Sequence, residues 1–170
     1  IIGELLTTDS LTGCASRRGM LNRLREEQER AMRIQRPCCL CLLDFDRFKL
    51  VNDERGHPAG DAVLRQGLKF ATGVLRKYDS IYRYGGEEFL ICLPGSPIKD
   101  AAQVIERIRA GLESLPIRLP SGETLYVTAS FGLAEMHPRR PVEEAIADAD
   151  MALLRAKENG RNRIELWTVQ

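Results

Sequence analysis

The chain has 170 residues, of which 44% are hydrophobic and 29% charged, with a formal net charge of +1. That length suits one domain with a substantial core. A charge this balanced excludes bulk electrostatic attraction to nucleic acid or membrane surfaces, so any anion site has to be local. No apolar stretch is long enough to span a bilayer, and no signal-peptide pattern is present. The five cysteines are Cys14, Cys38, Cys39, Cys41 and Cys92, an odd number with three in one apolar run. This predicts reduced, buried thiols in a cytosolic (cytoplasmic) protein rather than a disulfide framework. Cys39 and Cys41 have no second ligand pair with which to hold a metal. The first residue is Ile1 rather than methionine, which suggests a piece of a longer protein.

In chain order, residues 1–8 read as the tail of a helix entering from upstream, and Asp9-Ser10-Leu11-Thr12-Gly13 as a turn. Gly19 to Arg36 has helical apolar spacing through Met20, Leu21, Leu24, Ala31 and Ile34, and Pro37 ends it. Cys38 to Phe45 is a continuous apolar run closing in acid, the pattern of a central strand buried on both faces. Asp44-Phe45-Asp46 falls at its carboxyl end. Phe48 to Asn52 reads as a short helical turn and His57 to Gly60 as a loop. Asp61 is the expected N-cap of a helix through about Leu75.

A hairpin is expected over Ser80–Leu93, with Gly85-Gly86 as a two-residue loop. A second long amphipathic helix follows over Asp100–Leu115. Pro120 to Glu123 reads as a turn between short strands and Tyr126 to Phe131 as a strand. Pro141 opens a last helix through Asn159, with Gly160 as its stop. Arg163 to Trp167 closes the chain as a strand. The order predicts an α+β fold with helices on the faces of a sheet.

The segment Tyr84-Gly85-Gly86-Glu87-Glu88-Phe89 carries the most chemistry. Glycines without side chains let a bulky anion approach the backbone, and adjacent carboxylates on a rigid hairpin suit a hard cation. By its own residues, this hexapeptide is equally an ordinary turn followed by a solvated acidic pair.

The same hexapeptide resembles the signature of GGDEF domains, the bacterial diguanylate cyclases, in its Glu variant. Four further stretches agree in order and spacing. Asp9 to Gly13 with Arg17-Arg18 resembles the family's opening motif, and Asp44 to Asp53 its first-strand motif. Gly56-His57 through Gly60-Asp61 resembles the segment after it, and Lys157 to Asn162 the closing Lys-x-x-Gly-Arg-Asn pattern. The resemblance spans about residues 9–167. It departs at Cys14, Ser16 and Leu154, where the family usually has leucine, asparagine and tyrosine.

This resemblance implies a domain over 9–170 and a ferredoxin-like, nucleotide-cyclase-like palm: a central, mainly antiparallel sheet with helices on its faces. It implies condensation of two GTP into cyclic di-GMP with release of two pyrophosphates, across a two-fold dimer of the chain, using Mg²⁺ or Mn²⁺. By the same resemblance Asp44, Glu87 and the Phe45 carbonyl hold the metal. Glu87 also takes the proton of the attacking hydroxyl, and Glu88 has a supporting place. Lys49 contacts the reacting phosphate, and Lys157 and Arg161 bind the triphosphate. Gly85 and Gly86 admit the nucleotide, Asn52 and Asp61 read guanine, and His57 is a further nucleotide contact. Arg76 and Asp79, with Arg107, match the family's inhibitory product site for cyclic di-GMP. An upstream sensory domain is the expected regulator. Neither a nucleic acid polymer nor a membrane is an expected partner. The alternative is a catalytically weak module that binds GTP or cyclic di-GMP.

Overall fold

The computed structural model describes residues 7–168. Its helices are α1 (Met20–Ile34), α2 (Phe48–Arg55), α3 (His57–Val74), α4 (Ile98–Glu113) and α5 (Val142–Glu158). The strands are β1 (Cys38–Phe45), β2 (Ser80–Arg83), β3 (Glu88–Pro94), β4 (Ile117–Arg118), β5 (Thr124–Leu125), β6 (Ala129–Glu135) and β7 (Ile164–Leu166). Five strands form one sheet in the order β2-β3-β1-β6-β7, while β4 and β5 make a separate ribbon. β1 runs antiparallel to β3 and β6, and β7 alone is parallel, beside β6. This is the expected α+β palm-like sheet.

β1 explains the layering. All eight of its residues are buried, and successive side chains point to opposite faces. Cys39, Cys41, Leu43 and Phe45 enter one core with Leu64 and Leu68 of α3 and Ile105, Ile108 and Leu112 of α4. Cys38, Leu40 and Leu42 enter the other with Met20 and Leu24 of α1 and Ile146, Ala149 and Leu153 of α5. The continuous apolar run thus feeds two cores at once. By the same alternation, Asp44 falls on the α1/α5 side. α5 lies very close to the sheet: a Cβ on Gly132 would sit 2.1 Å from the Ala149 carbonyl oxygen.

The opening motif adds to the edge of β2. Ala15 N–H donates to the Ile81 carbonyl at 3.3 Å, and Arg83 N–H donates to the Ala15 carbonyl at 2.8 Å. The upstream helix expected over 1–8 lies almost wholly outside the described residues. All five cysteines are free thiols; burial pushes the Cys39 and Cys41 thiols well up. Among the described residues no helix is long and apolar enough to cross a membrane.

Several boundaries differ from expectation for local reasons. α2 continues to Arg55, and Gly56, at φ 86°, makes the turn into α3. α3 therefore starts at His57, with Pro58 in its first turn, where a missing N–H costs nothing. Asp61 is a helical residue rather than the N-cap. α1 is shorter than Gly19–Arg36 because Gly19 and Gln35 are both left-handed. α4 begins two residues before Asp100 and stops at Glu113. Residues 126–128 precede β6 rather than forming it.

Candidate active site

The signature loop starts from β2 and β3. Their last ladder pair is Arg83 with Phe89. Beyond it, the N–H groups of Tyr84 and Gly85 both donate to the Glu88 carbonyl, at 2.9 and 3.0 Å. The loop is therefore Gly85-Gly86-Glu87, three residues rather than the expected Gly-Gly pair. Neither glycine has a positive φ, so this is not a type I′ turn. Arg83 supplies the reason: its guanidinium donates to the carbonyls of Gly86 at 2.8 Å and Gly85 at 3.4 Å. Its remaining nitrogen meets Asp9 at 3.0 Å. Asp9 in turn accepts from the Thr12 amide at 2.9 Å and hydroxyl at 2.6 Å. Burial would raise the Asp9 carboxyl, but these donors together with Arg83 hold it below its ordinary value. Gly86 presents a bare α-carbon, with nothing within 4 Å of where a Cβ would be.

β1 brings the acids next to that loop. Asp44 pairs across the ladder with Glu88, and Phe45 N–H donates to the Glu87 carbonyl at 3.4 Å. Burial, with the Glu87 and Asp46 charges nearby, raises the Asp44 carboxyl, although Lys157 at the end of α5 pairs with it and opposes the rise. Burial likewise raises Glu88, assisted by Asp44. Asp46 has a different task. Its carboxylate accepts from Thr128 Oγ1 at 2.7 Å, Ser130 Oγ at 2.6 Å and Asn162 N–H at 3.0 Å. It ties the closing turn, where Arg161 and Asn162 are both left-handed, to β6.

A cleft of about 440 Å³ opens between α2, α3 and the loop, lined by Lys49, Asn52, His57, Asp61, Gly86 and Glu87 together with Phe48, Leu64 and Arg83. Asn52 lies at the crossing of α2 with α3, where a Cβ on Gly60 would fall 2.0 Å from its Oδ1. That Oδ1 is buried and accepts no hydrogen bond. A buried acceptor without a donor is costly, and Asn52 itself lines the cleft.

The donors near Asp44 are hard oxygens, and among the described residues no cluster of three or more His, Cys, Asp or Glu could hold a metal. Two carboxylates and a backbone carbonyl suit Mg²⁺, which keeps waters and substrate phosphates in its shell. In the structure the Lys157 ammonium is seated on Asp44.

The family described as "Diguanylate cyclase, GGDEF domain" matches residues 6–163. The chain belongs to the GGDEF-domain family. It is 40% identical over 163 residues to Diguanylate cyclase DgcP of Pseudomonas aeruginosa, covering 94% of this chain and 24% of DgcP, so it spans about a quarter of that relative. Diguanylate cyclase SiaD of the same organism, solved in complex with its activator SiaC, superposes with a TM-score of 0.91 at 42% identity, over 97% of this chain and 63% of SiaD. The GGDEF domain of DgcB from Caulobacter crescentus, in complex with c-di-GMP, also gives 0.91, at 34% identity over 96% and 94%.

Gly85 of the signature loop, and Asp44, Phe45 and Lys157 beside it, do not line the cleft of this GGDEF domain, and two further groups of expected site residues lie apart from it. Arg161 lines an adjoining recess of about 310 Å³ with Arg47, Leu50 and Tyr126, on the other side of α2. Arg76 and Asp79 lie at the far end of β3, about 20 Å from Glu88 at roughly 3.3 Å per strand residue. There Arg76 grips Asp79 at 2.7 and 3.0 Å and donates to Ser96 Oγ at 2.7 Å. The Asp79 side chain is 0% exposed and that of Arg76 43%, so Arg76 presents the outer surface. Arg107 is exposed on α4. Sequence reasoning missed Arg83, Phe48 and Leu64 as cleft residues and the three-donor role of Asp46. Arg83, next to Tyr84, was the one with a local signal: an arginine in a strand whose neighbours are apolar or aromatic.

Proposed function

We propose that this GGDEF domain condenses two GTP molecules into cyclic di-GMP and two pyrophosphates, with a second copy of the chain providing the other half of the site. The observation that carries this reading is a single cleft lined by Asn52, Asp61, Lys49 and the signature loop, with a carboxamide whose Oδ1 has no donor of its own. Guanine offers hydrogens at N1 and N2, which a carboxamide oxygen and a carboxylate accept. Adenine presents an acceptor at N1, which the Asp61 carboxylate repels.

Asn52 and Asp61 hold the base, with His57 as a further contact. Gly85 and Gly86 let the nucleotide lie against the loop backbone. Asp44, Glu87 and the Phe45 carbonyl are the ligands for Mg²⁺ or Mn²⁺, which when bound neutralises phosphate charge and lowers the pKa of the attacking hydroxyl. Glu87 receives the 3′-hydroxyl proton. The 3′-oxygen then bonds to the α-phosphorus of the partner's nucleotide, and the α–β bridging P–O bond breaks. Its electrons leave with pyrophosphate. Lys49, Lys157 and Arg161 stabilise the charge spread over the phosphates, which is most of what a protein contributes to phosphoryl transfer. Two such transfers close the ring, so the product demands a two-fold pairing of sites. Arg76 and Asp79, with Arg107, form a remote product site that lowers turnover. In the full-length protein an upstream sensory domain governs how often two copies meet in the cytosol.

The test is incubation of concentrated or artificially dimerised protein with GTP and Mg²⁺, followed by nucleotide chromatography. Cyclic di-GMP and pyrophosphate in a 1:2 ratio is the expected result. Tight GTP binding without product would instead establish the binding-module alternative.

A further inference from the structure

The Asp44–Lys157 pair joins the middle strand of the sheet to the last turn of a helix 113 residues further along the chain. Asp44 is a fixed partner. It lies in a strand hydrogen-bonded on both sides, and its side chain is 9% exposed. Lys157 is a mobile one, 33% exposed, at the end of a long alkyl stem with rotatable donors. Other acids crowd the place: Glu88 lies opposite Asp44, and Glu87 follows the glycines. Asp46 is occupied by Thr128, Ser130 and Asn162. A buried carboxylate without a cation is strongly destabilising, so Asp44 takes the nearest ammonium.

We propose that Lys157 is a displaceable counter-ion that guards the metal position: while no nucleotide is present its ammonium occupies Asp44, and a triphosphate draws it off and opens that carboxylate to the divalent cation. The inference rests on Asp44 being a metal ligand. A released ammonium needs an anion, and the triphosphate expected at this site provides one. Metal alone then has to expel Lys157 into water and binds weakly, whereas metal with triphosphate moves Lys157 from one anion to another. Linkage makes the effect reciprocal, so the lysine couples the two affinities by about five- to 100-fold.

The test is Mn²⁺ binding to nucleotide-free protein, read by the loss of the free-ion electron paramagnetic resonance signal. Lys157→Met is expected to tighten Mn²⁺ about tenfold, and Lys157→Gln, which keeps a polar tip without charge, to do the same. Asp44→Asn is expected to abolish binding. With a non-cyclisable GTP analogue present, the advantage of Lys157→Met should vanish and its affinity for the analogue should fall. As a second measurement, Lys157→Met should melt below wild type in chelator and gain more than wild type from added Mn²⁺. If Asp44→Asn loses the metal while both Lys157 variants bind it no tighter than wild type, the guarding role is overturned. If Asp44→Asn binds Mn²⁺ as wild type does, the metal assignment itself fails.

Discussion

Arg83 holds the carbonyl of Gly86 at 2.8 Å while its other terminal nitrogen meets Asp9 at 3.0 Å. One guanidinium thus joins the opening motif to the signature loop. Replacing it with methionine keeps most of the volume and removes every donor. Arg83→Met should lower kcat for cyclic di-GMP formation at least tenfold, about 1.4 kcal/mol of barrier, through a loop no longer held against the cleft. Steady-state assays with circular dichroism as the folding control check it; unchanged kcat would separate the loop from the opening motif.

Gly60 allows a sharper test of base recognition. A Cβ there would lie 2.0 Å from Asn52 Oδ1 and 3.0 Å from Phe48 Cζ, so the carboxamide has to swing away. Alanine is favoured over glycine in a helix by roughly 1 kcal/mol, which offsets part of the crowding. Gly60→Ala should therefore raise KM for GTP about tenfold or more with little change in the urea midpoint. Normal KM would argue against Asn52 reading the base.

Asp46 is expected to matter for stability. Its removal orphans the Thr128 and Ser130 hydroxyls and leaves the Asn162 amide only its 3.2 Å bond to Ser130 Oγ, and unsatisfied buried donors cost about 1–3 kcal/mol each. Asp46→Ala should lose about 3 kcal/mol in denaturant unfolding, a value within the range of broken buried networks.

Glu88 fixes a pH dependence. Its carboxyl is raised above the ordinary 4.5 by burial first and by Asp44 next. The folded protein therefore holds this proton more tightly than the unfolded chain does, and the charge costs stability as pH rises through the raised value. Glu88→Gln should be more stable than wild type at pH 7 in chelator, and the gain should fade as pH drops through the raised value and be gone below 4.5. Melting curves across that range decide it; a gain that grows on acidification would refute the assignment.

Arg76→Ala should abolish inhibition by added cyclic di-GMP while leaving initial rates within about twofold. It also frees Asp79, whose side chain is fully covered, so Arg76→Lys serves as the milder control. Product inhibition equal to wild type in both would remove this surface from regulation.

The layers were legible because β1 carries an uninterrupted apolar run of strand length, the pattern of a strand covered on both faces. The cleft was legible residue by residue in Lys49, Asn52, His57, Asp61, Gly86 and Glu87. What escaped depends on distant partners. The loop is three residues long because Arg83 takes its carbonyls, and hairpin rules know only local twist. The start of α3 moved to His57 because Gly56 adopts a positive φ, which sequence permits without requiring. Asp46 reads as one more acid until Thr128, β6 and the closing turn, 82 and more residues away, supply its donors. Arg161 follows its left-handed turn into the neighbouring recess.

β1 places Asp44 toward one core and Phe45 toward the other, each seated in its own packed layer. The backbone that carries the acid is held by neighbouring strands on both sides. Adjustment to a new substrate or a new partner therefore falls to the movable surroundings, while the anchor stays where the interior sets it.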